Sequence, residues 1–241
     1  MNHNPENSQQ AVALIKFFTK KEHYLAFKNG SALFRPPHFY RKHDDKGRGD
    51  RSESCLGYWD KGLGDEMPNL VIDGSPIGNM DAQSILIYPA HEQQDSWLQS
   101  WSVMGPHNRF EYSLERMLQE FGTYFVVLPA TKIRAYAKLL AEASCSKVRF
   151  GLVQYSDEPL KRSLTVKDSD FCYQKEFRFF VGECPKDEVQ EKTLHLKGLS
   201  KMLLEASSLQ LKSPSGETRW CSLGHPRVAI DGGACVTKAT S

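Results

Sequence analysis

The chain has 241 residues, 40% of them hydrophobic and 25% charged, with a formal net charge of +2. That length can bury a sizeable core in one large domain or two small ones, and the near-neutral balance removes any reason to expect whole-surface attraction to nucleic acid or membrane. No apolar run approaches the ~20 residues needed to span a bilayer, and the polar opening from Met1 to Gln10 lacks the zones of a signal peptide. A cytoplasmic protein is expected, with a disordered leader over residues 1–10 and one domain over 11–241. The run Ala11–Phe18 is apolar enough for a short helix or a strand. Thr19, with Glu22 three residues on, has the pattern of a capping box for a helix over about 20–29 that stops at Asn29-Gly30. Leu33, Phe34 and Phe39 suggest an extended piece interrupted by Pro36-Pro37. The charged, glycine-bearing stretch from Tyr40 to Glu53 reads as a surface loop.

Farther along, short strands alternate with turns. Asn69–Asp73 before Gly74 has the character of half a hairpin, and Ser84–Tyr88 and Ser96–Val103 are further strands. Leu114, Met117, Leu118 and Phe121 follow helical spacing up to Gly122, and Tyr124–Leu128 is a buried strand. Thr131 is placed to cap a helix reaching about Ala143, with Ile133, Tyr136, Ala137 and Leu140 on one face. Val148–Val153 and Phe171–Val181 read as strands, Leu196–Leu209 as a helix, and Arg227–Ile230 as a late strand. The fold class is therefore α/β (α+β), a single domain with an antiparallel or mixed sheet of short strands.

Most chemical signatures are missing. The six cysteines (55, 145, 172, 184, 221 and 235) contain no C-x-x-C pair, and Cys221-x-x-x-His225 has no second pair for zinc. Phosphate-binding glycine motifs and the G-x-S-x-G elbow are absent too. The stretch Tyr173–Phe180 is more informative. Strand alternation would place Gln174, Glu176 and Arg178 on one face, and Tyr173, Lys175, Phe177 and Phe179 on the other. A carboxylate in so aromatic a strand needs a partner such as Arg178, or a polar cleft.

An arginine-rich loop (Arg35, Arg41, Arg48, Arg51), a strand with Ser100-Trp101-Ser102 and a late Gln174-x-Glu176 strand occur in that order. In this the chain resembles the ADP-ribosyltransferase superfamily, in its arginine–serine–glutamate branch. Phe17-Phe18-Thr19, His23-Tyr24-Leu25 and Asn29-Gly30 also look like the start of bacterial members that modify nucleic acids. The chain is likewise similar to bacterial proteins that combine a turn of the Tyr40-Arg41…Gly49-Asp50…Glu53 type with a late Q-x-E-F-R strand. The superfamily resemblance implies NAD as substrate and no metal. Glu176 and Gln174 would be catalytic, and Arg35, Tyr40, Arg41, Arg48, Ser100 and Ser102 would contact NAD, the anchoring arginine being left among Arg35, Arg41 and Arg48. It also implies a toxin or antiphage-defence setting, a nucleic-acid acceptor and an antitoxin protein as partner, with no membrane. Q-x-E in place of E-x-E speaks against an arginine acceptor. The chemistry asks for these groups: breaking the nicotinamide–ribose bond builds positive charge on the sugar, which a carboxylate stabilises, and a pyrophosphate is matched by arginine. The competing expectation is a non-enzymatic module of such a system that binds nucleic acid or protein. A metal-dependent nuclease using Asp44, Asp45, Asp50 and Glu53 comes third, because a loop is a poor scaffold for two metals.

Overall fold

The computed structural model describes residues 12–43, 49–77, 82–105, 110–204, 208–212, 215–217 and 219–224. The expected leader, Arg48, Asp44, Asp45 and the expected strand at 227–230 lie outside the described residues. In chain order the elements begin with β1 (Ala13–Phe18), α1 (Lys21–Lys28), β2 (Ser31–Phe34), α2 (Pro37–Arg41), β3 (Gly57–Asp60), β4 (Leu70–Ile72), β5 (Ser75–Ile77) and β6 (Ser84–Ile87). They continue with β7 (Asp95–Met104), α3 (Phe110–Phe121), β8 (Tyr124–Pro129), α4 (Ile133–Ser144), β9 (Val148–Leu152), β10 (Gln154–Ser156) and β11 (Val166–Asp168). The last are β12 (Glu176–Cys184), β13 (Lys192–His195), β14 (Ser208–Lys212) and β15 (Arg219–Gly224).

Five strands make an antiparallel sheet in the order β8-β1-β7-β12-β9. Alternation along β12 sends Phe177, Phe179 and Val181 to one face, where they pack with Trp101, Leu14 and Leu128 against Tyr136 and Leu140 of α4 and Phe27 of α1. Burying each such side chain stabilises the fold by roughly 1.5–3 kcal/mol. The polar atoms in this core are paired: Gln99 Oε1 accepts from both Tyr136 Oη and Trp101 Nε1, and its amide donates to Leu33 O. On the opposite face Ile15, Phe125 and Val127 pack under Leu114 and Met117 of α3. Glu176 and Arg178 also belong to this second face.

Several sequence expectations are corrected. Helix α1 starts with Lys20 at its cap position and α4 with Lys132, neither with a side-chain cap hydrogen bond, so Thr19 and Thr131 are not the caps. Phe39 sits in the short helix α2, for which Pro37 supplies the first turn. Residues Ser169–Gln174 form a 3-10 turn, opened by Asp168 accepting from the Asp170 amide and closed by Lys175 at φ 45°. The strand therefore begins at Glu176, and Gln174 is not two residues back on the same strand. The expected helix Leu196–Leu209 is corrected too: among its described residues, helical backbone is confined to the 3-10 turn Leu199–Met202, preceded by Gly198 at φ 87°. Among the described residues, no helix is long and apolar enough to cross a membrane.

One glycine is pinned by its surroundings. Gly122 ends α3 at φ 96°, and a Cβ there would lie 2.4 Å from both Phe18 O and Thr19 Cα. Gly122→Ala should cost about 1–3 kcal/mol from the backbone conformation alone, before the collision with β1 is counted. Urea unfolding checks this, and an unchanged midpoint would refute it.

Candidate functional site

The site originates in a pairing defect. Strand β1 pairs with β8 along its whole length but with β7 only from Ala13↔Met104 to Ile15↔Ser102. Beyond that point the strands diverge, and Leu98 of β7 pairs instead with Arg35, just after β2. A cleft of about 470 Å³ lies where they part. The carbonyl of Ser100, left without a strand partner, accepts from Lys16 Nζ at 2.9 Å, as a backbone group removed from water requires. Ile15, Phe17, Phe18, Phe27 and Trp101 give the cleft apolar walls, and Lys16, Arg35, Ser100, Ser102, Gln174 and Glu176 bring polar groups into it.

Glu176 is 4% exposed. Its Oε1 accepts from Ser100 Oγ, and from Arg178 Nε at 2.7 Å. Its Oε2 faces Arg178 Nη2 at 3.2 Å and Lys167 Nζ at 3.4 Å. Burial opposes the charged form, but Arg178, Lys167 and the hydrogen bonds from Arg178 and Ser100 outweigh it and hold the carboxyl down at about 2. Glu176 is thus an ionised, buried carboxylate on the cleft floor. The remaining nitrogens of Arg178 grip Glu53 at 2.6 and 2.8 Å and Leu164 O at 2.8 Å, so every guanidinium donor is used. Lys167 also meets Gln174 Oε1 at 3.1 Å, Glu53 at 3.7 Å and Asp50 at 3.8 Å.

Among the described residues of Tyr40–Glu53, Arg41, Asp50 and Glu53 are buried, contrary to the solvated loop that the composition suggests. Arg41 is wholly enclosed: Nε donates to Glu53 O at 2.6 Å, Nη1 to Lys186 O at 2.6 Å, and Nη2 pairs with Asp95 at 2.8 Å. Lys186 and Ser54 complete the shell around Asp95. Arg41 therefore braces the backbone that carries Glu53 and does not line the cleft, which corrects its expected role as a cofactor-binding arginine. Next to it, burial and then the charges of Arg41 and Lys42 lower His38 to about 4, leaving it neutral at pH 7.

Of the expected site residues, the fold brings Glu176, Gln174, Ser100, Ser102, Arg35 and Tyr40 to one cleft. Arg35 pairs with Glu191 at 2.5 Å and lies over the Phe39 ring at 4.2 Å. Ser102 donates to Met117 Sδ at 3.1 Å, and burial pushes the Tyr40 phenol up. Trp59 pairs on a separate two-stranded sheet with Ile85 and is not among the cleft residues. Sequence reasoning missed Lys16 and Lys167. A single charge inside the apolar Ala13–Phe18 run was a usable signal for Lys16; nothing in the sequence around Lys167 points to its role. Asp50 and Glu53, expected on the nuclease reading to hold metal, instead face Lys167 and Arg178. Among the described residues, no group of three or more His, Cys, Asp or Glu is placed to hold a metal ion. Comparison with protein-family models, curated proteins and solved structures finds no match.

Proposed function

We propose that the cleft binds NAD and that the chain is an ADP-ribosyltransferase whose acceptor is nucleic acid. The observation that carries this reading is Glu176, an ionised carboxylate held by Ser100 and Arg178 on the floor of a cleft large enough for a small ligand. In the proposed reaction the C1′–N bond of the nicotinamide ribose breaks and nicotinamide leaves with the electron pair. Positive charge spreads over C1′ and the ring oxygen, and an acceptor heteroatom bonds to C1′ and gives up its proton. A fixed carboxylate beside that ring lowers the barrier because its charge is in place before the reaction starts. Lys16 and Arg35 are the cleft cations suited to the phosphates, and the aromatic walls suit flat rings. The toxin or defence setting and an antitoxin partner belong to this proposal through the resemblance alone.

A second reading is favoured by one observation: both oxygens of Glu176 are already occupied by partners within the chain. On that reading the carboxylate is structural and the cleft belongs to a non-enzymatic module that binds nucleic acid or protein. Incubation with NAD labelled in the adenylate half, with separate pools of RNA, DNA and protein, separates the two. Label should appear in nucleic acid and free nicotinamide should accumulate. Label only in protein would defeat the nucleic-acid acceptor and keep the transferase. Intact NAD with no label anywhere would select the binding module.

A further inference from the structure

Five buried ionisable side chains meet at the cleft floor: Asp50, Glu53 and Glu176 with Lys167 and Arg178. None is more than 6% exposed. Three carboxylates against two cations leave one surplus negative charge when all are ionised. The pairing is unequal. Glu53 and Glu176 each take Arg178 at 2.6–2.8 Å, whereas Asp50 approaches Lys167 only to 3.8 Å. Asp50 is not among the residues lining the cleft.

We propose that Asp50 carries the surplus charge of this cluster and thereby makes the cleft prefer a cationic sugar ring to a neutral one. It is a positioning residue that acts through Lys167 on Glu176, and the choice of a ribosyl ligand rests on the NAD reading. With Asp50 neutral, the cluster has as many cations as carboxylates, so the field of Glu176 is largely cancelled where the ring would sit. With Asp50 ionised, the cluster presents a net charge of −1. Its surroundings decide when that occurs. Asp50 faces Glu53 on its own loop, Lys167 from β11, Arg178 from β12 and the Ser52 amide, which its Oδ1 accepts at 3.0 Å. Burial, then Glu53, push its carboxyl up to about 6, against the pull of Lys167, Ser52 and Arg178. The surplus charge is therefore present at pH 8 and absent at pH 5. Because the folded value is raised above the ordinary one, stability falls as pH rises from about 3.8, and the full cost of ionising Asp50 is present above about 6.

The test uses two probes, 1,4-dideoxy-1,4-imino-D-ribitol, whose ring amine is protonated, and the neutral 1,4-anhydro-D-ribitol. Calorimetry at pH 8 and pH 5 compares the parent with Asp50→Asn, which keeps volume and the acceptor for Ser52. A unit charge at roughly 10 Å in an effective dielectric near 20 corresponds to about a tenfold difference in affinity. The parent should prefer the cationic probe by about that factor at pH 8 and lose the preference at pH 5. Asp50→Asn should show no preference at either pH, and its Tm should exceed the parent's at pH 8 more than at pH 5. Equal affinities in the parent at pH 8, binding of neither probe, or a preference that survives Asp50→Asn would overturn the proposal. If Asp50→Asn does not fold, Asp50→Ser is compared with the parent at pH 8, because His23 also lines the cleft and the pH change alone does not isolate Asp50. Absent NAD turnover with the cationic preference intact would defeat the NAD reading and leave the role of Asp50 standing.

Discussion

Arg178→Met should destabilise the fold by about 3–5 kcal/mol, the cost typical of removing one partner from a buried ion pair. The side chain is 1% exposed and spends all its donors on Glu176, Glu53 and Leu164 O. Removing it strands two carboxylates that only Lys167 remains to offset. Lysine at the same position should rescue little, because one ammonium cannot reproduce a fork that holds two carboxylates bidentately. Urea unfolding of the parent and both variants measures this. A methionine variant with the parent's midpoint would mean that the cluster is not a stabilising element.

Glu176→Gln should abolish NAD turnover, with a loss on the order of 100-fold or more, since it removes the carboxylate charge on the cleft floor and keeps the volume. The ion pairs at Glu176 imply a second effect on stability. Its folded value lies below the ordinary one, so the ionised form contributes stability above pH ~4.5 that is lost as pH falls toward 2. Turnover must therefore be compared at a temperature where circular dichroism shows both proteins folded. A folded glutamine variant with undiminished turnover would eliminate Glu176 from the chemistry.

Much of the frame was legible in the sequence because local rules governed it. Ser100, Ser102 and Glu176 were placed on strands by alternation and aromatic content, and the strands fell close to where they were expected. The largest failure, at the candidate site, comes from tertiary partners distant in the chain. The polar stretch from Tyr40 to Glu53 looks solvated by composition, yet Arg41 pairs with Asp95 and Glu53 with Arg178, 54 and 125 residues away. Tyr173 and Phe171 favour strand locally, but packing under α3 and the Lys167–Gln174 bond hold a 3-10 turn instead. That turn brings Gln174 to the cleft by a route alternation could not supply. Leu196, Leu199 and Leu203 have helical spacing but lie buried in an irregular segment, where burial alone accounts for them.

The order β8-β1-β7-β12-β9 also governs how the protein can be made. No two bonded neighbours in that sheet are consecutive strands of the chain, so no hairpin can nucleate it. Strand β1 is an interior strand, yet its partners are β7 and β8, beginning at Asp95 and Tyr124. During synthesis at roughly 5–20 residues per second, the apolar segment Ala13–Phe18 must wait unpaired for several seconds while those partners emerge. Loop closure over such separations makes folding slow, and an unpaired apolar strand is open to aggregation throughout. The topology that opens the cleft between β1 and β7 therefore also makes the nascent chain a natural client for chaperones.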